Sequence, residues 1–105
     1  MGNPFRYHVA PLSEKGHMQF ICLVCRKMAT DSHLLGKMHR DNYMDDEWFE
    51  TGIVEYLGED QVEGRMALAR QWDETNGPGP YELDWTLSPD PEMQKYGGKF
   101  KHKLL

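Results

Sequence analysis

The chain lacks most of what would place it outside the cell or in a membrane. Its 105 residues include only two cysteines, Cys22 and Cys25. Two cysteines so close together do not make the disulfide framework of a secreted domain. No apolar run approaches the ~18 residues of a membrane span, so no membrane role is expected. The first residues, MGNPFRYHVAPL, lack the apolar stretch of a signal peptide. Arg6 stands where a myristoylation signal needs serine or threonine. An intracellular, reducing compartment is therefore expected. Hydrophobic residues are also scarce, at 39% with a mean hydropathy of −0.74. Six prolines and ten glycines point to a folded nucleus with loosely packed flanks. A chain of this length buries a modest core, and a metal or partner is a common stabiliser at this size. Catalytic signatures are missing too: there is no H-E-x-x-H, no G-x-S-x-G and no phosphate-binding glycine loop. The carboxylates of the middle segment read as a solvated acidic face rather than a catalytic pair. No enzyme is expected.

Charge is unevenly divided. Residues 1–40 carry a net +4, residues 41–92 a net −13 and residues 93–105 a net +4, for −5 in all. The total argues against a nucleic-acid binder. The division weakens that objection, because phosphate contact is local and screened beyond about 8–10 Å.

Residues 5–9, FRYHV, and 18–22, MQFIC, alternate apolar and polar, which predicts a loose hairpin. Thr30, Asp31 and Ser32 are good N-caps, and Leu34, Leu35 and Met38 follow at helical spacing, predicting a helix over about 31–42. A second helix is expected over about 45–57, with Asp45, Asp46 and Glu47 at its positive end and Trp48, Phe49, Tyr56 and Leu57 on its buried side. Gly52 weakens that helix, and a strand starting at Ile53-Val54 is the alternative. A third helix over about 60–75 places Val62, Met66, Ala69 and Trp72 on one face and ends at Gly77-Pro78-Gly79-Pro80. The following YELDWTLSPDPEMQKYGG has no clear period and reads as extended, strapped on by Trp85 and Leu87.

The chemistry concentrates in CLVCRKMATDSHLLGKMHRDN, residues 22–42, which holds both cysteines and His33 and His39. The spacing is C-x2-C-x7-H-x5-H. Two thiolates and two imidazoles are the donors of a closed, structural tetrahedral zinc site. One Zn2+ held by Cys22, Cys25, His33 and His39 is expected. Residues i and i+6 lie ~120° apart on an ideal helix, so His33 and His39 converge only if the helix is distorted or ends between them. Gly36 sits midway and eases such a distortion. Two buried cysteines of an ordinary core, or a redox pair, remain as alternatives. His8, His17 and His102 read as solvated.

On Phe20, Cys22, Cys25, His33, Leu34, Gly36, Lys37, His39 and Asn42, the stretch resembles the matrin-type zinc finger. That family includes the finger of the spliceosomal small nuclear ribonucleoprotein C subunit and those of many double-stranded-RNA-binding proteins. The resemblance covers residues 20–42 only. The usual finger has about a dozen residues between the second cysteine and the first histidine; here there are seven. The missing length is that of the second strand and its core aromatic. The helix must then pack on residues from elsewhere, with Phe5, Tyr7, Phe20, Trp48 and Phe49 available.

The expected fold is small α+β: a zinc-stapled knuckle and helix with a short N-terminal hairpin, one or two further helices and an extended C-terminal tail. Residues 1–57 would form the finger domain with its flanking hairpin and helix. Residues 58–77 would be an acidic helix on or beside it, and residues 78–105 an extended, partly disordered tail with a basic end. The resemblance implies binding to RNA, double-stranded or structured, and a nuclear location. Arg26, Lys27, Lys37 and Arg40 flank the metal motif, and Lys95, Lys99, Lys101 and Lys103 are interleaved with Tyr96 and Phe100 in the tail, a composition that suits phosphate contact. The alternative is a protein-interaction module in a ribonucleoprotein or other assembly. It would use the aromatics of the acidic segment, Trp48, Phe49, Trp72 and Trp85. A monomer is expected.

Overall fold

The computed structural model describes residues 2–11, 18–29, 33, 36–77 and 85–100, with the backbone alone at 11, 18, 85 and 96–100. The hairpin forms as its alternation predicts. Strands β1 (Tyr7–Pro11) and β2 (Met18–Cys22) pair antiparallel, with Tyr7 opposite Cys22 and Val9 opposite Phe20. These four side chains share one face and are buried, while His8 and Ala10 project from the other side of β1. A two-residue strand β3 (Lys27–Met28) adds to β2 directly after the cysteine turn. A short strand thus follows the cysteine turn, where the sequence spacing left room for none.

Helix α1 runs only over Lys37–Asn42. The longer helix expected over 31–42 is interrupted at Gly36, whose backbone is extended (φ −73°, ψ 156°). Residues 31, 32, 34 and 35 lie outside the described residues. Helix α2 (Asp46–Leu57) starts where its acidic residues predict: the Asp45 carboxylate accepts from the Trp48 amide at 3.0 Å. Ile53 is buried within it, so Ile53-Val54 do not start a strand. Helix α3 (Val62–Asn76) buries Arg65, Met66 and Ala69 and stops at Gly77, which takes a left-handed φ of 78°.

The chain after Gly77 departs from expectation. In place of an extended strap, Trp85–Leu87 form a 3₁₀ turn and Pro91–Phe100 form helix α4. The Ser-Pro-Asp-Pro run reads as a breaker, but Pro91 occupies the first helical position, where its missing N–H and fixed φ favour a helix start. Ser88 Oγ accepts from the Asp90 amide at 3.2 Å, and the Asp90 carbonyl accepts from Gln94 at 3.1 Å. Met93 of this helix is buried in the common core. Residues 78–84 and 101–105 lie outside the described residues.

Two carboxylates tie the layers together. Asp73 of α3 accepts from Asn3 (2.8 Å), from Arg6 (2.7 Å) and from the Tyr43 hydroxyl (2.5 Å). The buried Arg6 guanidinium lies 4.5 Å from the centroids of both the Tyr43 and Phe49 rings. Asp90, just before α4, pairs with Arg65 and sits 2.9 Å from His8 Nδ1. Arg65 also donates to the carbonyls of Phe5 and Tyr7, at 3.2 and 3.4 Å. Both buried guanidiniums are thus paired with a carboxylate, Arg65 hydrogen-bonded through both terminal nitrogens and Arg6 through Nη2, while Arg6 Nε and Nη1 are buried without a hydrogen-bond partner among the described residues.

Gly52 marks the closest approach of α2 to the rest. A Cβ there would collide with the Leu23 carbonyl inside the cysteine turn. Gly64 of α3 has open space at the same position. Gly52→Ala should therefore lower stability by about 1–3 kcal/mol through overpacking. Gly64→Ala should raise it by about 0.5–1 kcal/mol through helix propensity. Urea unfolding of the two variants checks both signs.

Candidate metal centre

Three pieces of chain supply the centre. Cys22 ends β2, and the chain then turns so that the Cys25 and Arg26 amides both donate to the Cys22 carbonyl, at 3.3 and 2.6 Å. Arg26 takes a left-handed φ of 58° to complete the turn. His33 comes from before the break at Gly36 and His39 from α1 after it. The Gly36 amide donates to the His33 carbonyl at 3.0 Å, then the extended backbone redirects the chain. The interruption removes the ~120° mismatch of the H-x5-H spacing on an ideal helix.

One ligand atom from each of Cys22, Cys25, His33 and His39 lies within 4.8 Å of the others. His39 Nδ1 is 3.4 Å from Cys22 Sγ and 3.6 Å from Cys25 Sγ. Tetrahedral zinc with N and S donors needs ligand separations of about 3.3–3.8 Å. The edges at His39 already meet this, and the widest separation needs to close by roughly 1 Å. The two imidazole rings meet edge to face, with centroids 5.0 Å apart. Cys22, Cys25 and His39 are buried and His33 is half-buried. Two thiolates would balance the charge of one divalent ion, so the bound group is neutral, which suits burial. These four residues can hold one zinc ion.

The thiols are electrostatically unlike. Hydrogen bonding from Cys22, and then from His39 and Asn42, pulls the Cys25 thiol down to about 4 against the opposing effect of burial. Burial, followed by the hydrogen bond and charge of Cys25, pushes the Cys22 thiol up. Burial holds His33 below the usual histidine value, and His39 and Lys27 add to this while Cys25 opposes it.

The other residues singled out by sequence fall in different places. Lys27, Lys37 and Arg40 are exposed around the centre. Lys27 Nζ touches Met38 Sδ at 3.3 Å, and Lys37 lies 4.0 Å from Asp41. Arg26 is engaged on the protein itself: its guanidinium lies 3.7 Å from the centroid of Trp48, and its Nε is 3.4 Å from Glu55. Phe49 is a core residue at 1% exposure, so it is not available to a partner. Trp48 is 40% exposed. Neighbouring helical positions differ by ~100°, so one of these two aromatics faces in and the other out. Trp72 is half-buried. Lys99 and Trp85 are placed by backbone only, and Lys101 and Lys103 lie outside the described residues. Sequence reasoning missed two contacts of the centre. The Tyr7 hydroxyl lies 3.5 Å from His39 Nε2, and the Asn42 amide donates to Cys25 Sγ at 3.5 Å. Asn42 belongs to the finger pattern and follows His39 by three, which places both on one helical face. Tyr7 becomes visible only through its register opposite Cys22.

Comparison with known protein families, curated proteins and solved structures returns no match. The centre therefore rests on its own geometry.

Acid acts on the centre in one direction. His33, lowered by burial, costs stability as pH falls below the unfolded value of ~6.5, because only the unfolded chain readily takes the proton. The lowered Cys25 thiol contributes stability that is full above the unfolded value of ~8.5 and is lost as pH falls towards about 4. Cys22, raised, stays protonated throughout this window in the absence of metal and does not oppose the trend. Protons also compete with a metal for the same thiolates and imidazoles, so urea midpoints of the zinc-loaded chain should fall from pH 7 to pH 4, with release of metal to a chromogenic chelator over the same range. A flat profile would contradict the assignment.

Proposed function

We propose that the chain is a zinc-stapled, RNA-associated module of matrin type that acts by binding and not by catalysis. The observation that carries this reading is the convergence of Cys22, Cys25, His33 and His39, with the short helix that supplies His39 turning Lys37 and Arg40 to solvent. All four ligands come from the protein, so a bound zinc would be structural, with no open position for a substrate. The ion would then fix the direction of α1 and, with it, the spacing of its two cations. Lys27 adds a third cation from β3. Such a cluster suits phosphate oxygens and 2′-hydroxyls of a structured RNA. A nuclear location accompanies the matrin reading.

Exposed apolar side chains favour a second reading, a protein-interaction module. Met28, Met38, Met44 and Trp48 are all exposed and come from the segments around the centre. Flexible thioethers adapt to varied apolar partners. Salt separates the two. Phosphate contacts weaken linearly in the logarithm of salt concentration, and an apolar interface does not.

The test is titration of a labelled RNA hairpin by the zinc-loaded chain at several salt concentrations. The double variant Lys37→Glu, Arg40→Glu should weaken binding by at least about tenfold and lower the salt slope by roughly two contacts. Unchanged affinity in the variant would remove the RNA surface as drawn.

A further inference from the structure

The side chains around His39 carry an inference that rests on the zinc reading and goes beyond it. An imidazole binds a metal through one nitrogen, and the partner of the other nitrogen sets which one. Here the two nitrogens meet different surroundings. His39 Nδ1 faces both sulfurs, at 3.4 and 3.6 Å. His39 Nε2 faces the Tyr7 hydroxyl at 3.5 Å. The geometry points to zinc ligation by His39 through Nδ1, with Tyr7 and Asn42 as the positioning residues that set how tightly the ion is held.

Each part follows from where the chain puts these groups. Tyr7 is fully buried, and its strand register sets it directly opposite Cys22. Its ring lies nearly parallel to that of His39, at 19° and 6.3 Å between centroids. A phenol is neutral at pH 7, so the Tyr7 oxygen, 3.5 Å away, can accept the Nε2–H that Nδ1 ligation requires. Tyr43 also meets the His39 ring, edge to face with centroids 5.8 Å apart, and is itself anchored on Asp73. The imidazole is therefore held in one orientation by two tyrosines. Asn42 acts on the second sulfur. Its amide donates to Cys25 Sγ at 3.5 Å, and such a donor stabilises a thiolate against protonation and so favours the metal-bound form. Neither Tyr7 nor Asn42 is a ligand.

Long-range proton–nitrogen NMR of the zinc-loaded chain reads the histidine tautomers directly. For His39, Nδ1 should show the shift of a metal-bound nitrogen and Nε2 that of a protonated one. Zinc affinity is then measured by chelator competition for the wild type, Tyr7→Phe and Asn42→Ala. Tyr7→Phe keeps the ring and removes only the acceptor. Each variant should bind zinc about 10–100-fold more weakly while the zinc-loaded amide spectrum stays folded. In Tyr7→Phe the His39 Nε2 proton should also exchange with solvent faster, which a loss of packing alone would not single out. Zinc bound through Nε2 of His39, or both variants within about twofold of wild type, would overturn the inference and leave the zinc reading standing. A wild-type chain that binds no zinc would overturn the reading on which the inference rests.

Discussion

The His39 ring is the point on which the rest of the arrangement depends. Cys22 and Cys25 meet one of its nitrogens and Tyr7 the other, and Tyr43 packs on its edge. Those residues come from both hairpin strands, the cysteine turn and the chain following α1. A six-residue helix has little stability of its own, since nucleating a turn costs more than so few hydrogen bonds return. It must be held from outside. A zinc ion bound by the four ligands would do that, because binding free energy in such small sites is folding free energy, about 10–16 kcal/mol for zinc-finger peptides.

The acidic segment divides into an inner and an outer part. Asp73 and Asp90 face inward and pair with Arg6 and Arg65, joining α3, the start of α4 and the 3₁₀ turn Pro4–Arg6 that precedes β1. The remaining charge of that segment stays largely on the surface of α2 and α3. The same molecule then presents cations near the metal centre and carboxylates along its helices. Under the proposed RNA reading, that separation would let one face approach a phosphate backbone while the other keeps it away.

Much of the fold and the site was legible because it is local. The alternation of MQFIC, the Asp45 cap and the Gly77 stop each act within a few residues, and the strands and helices begin or end close to where they indicate. The four candidate ligands declare themselves by donor type and spacing, and the H-x5-H mismatch pointed to Gly36 as the break. What was not legible depends on distant partners. Helix α4 looks extended in sequence because Asp90, before Pro91, draws its anchoring from Arg65 and His8, 25 and 82 residues away. Gly52 reads as a weak point of α2, but its missing side chain is what allows the helix to lie against Leu23. Phe49 reads equally as core and as partner surface until the direction of α2 is known.

One zinc ion holding the knuckle and α1 together would supply much of the folding energy. The most direct measurement is metal content of the purified chain by elemental analysis, set beside its amide NMR spectrum before and after chelation. One zinc per chain, with collapse of the dispersed resonances when it is removed, is the predicted result. A chain without metal and a dispersed spectrum indifferent to chelator would contradict it, and would leave Cys22, Cys25, His33 and His39 as ordinary members of a small core.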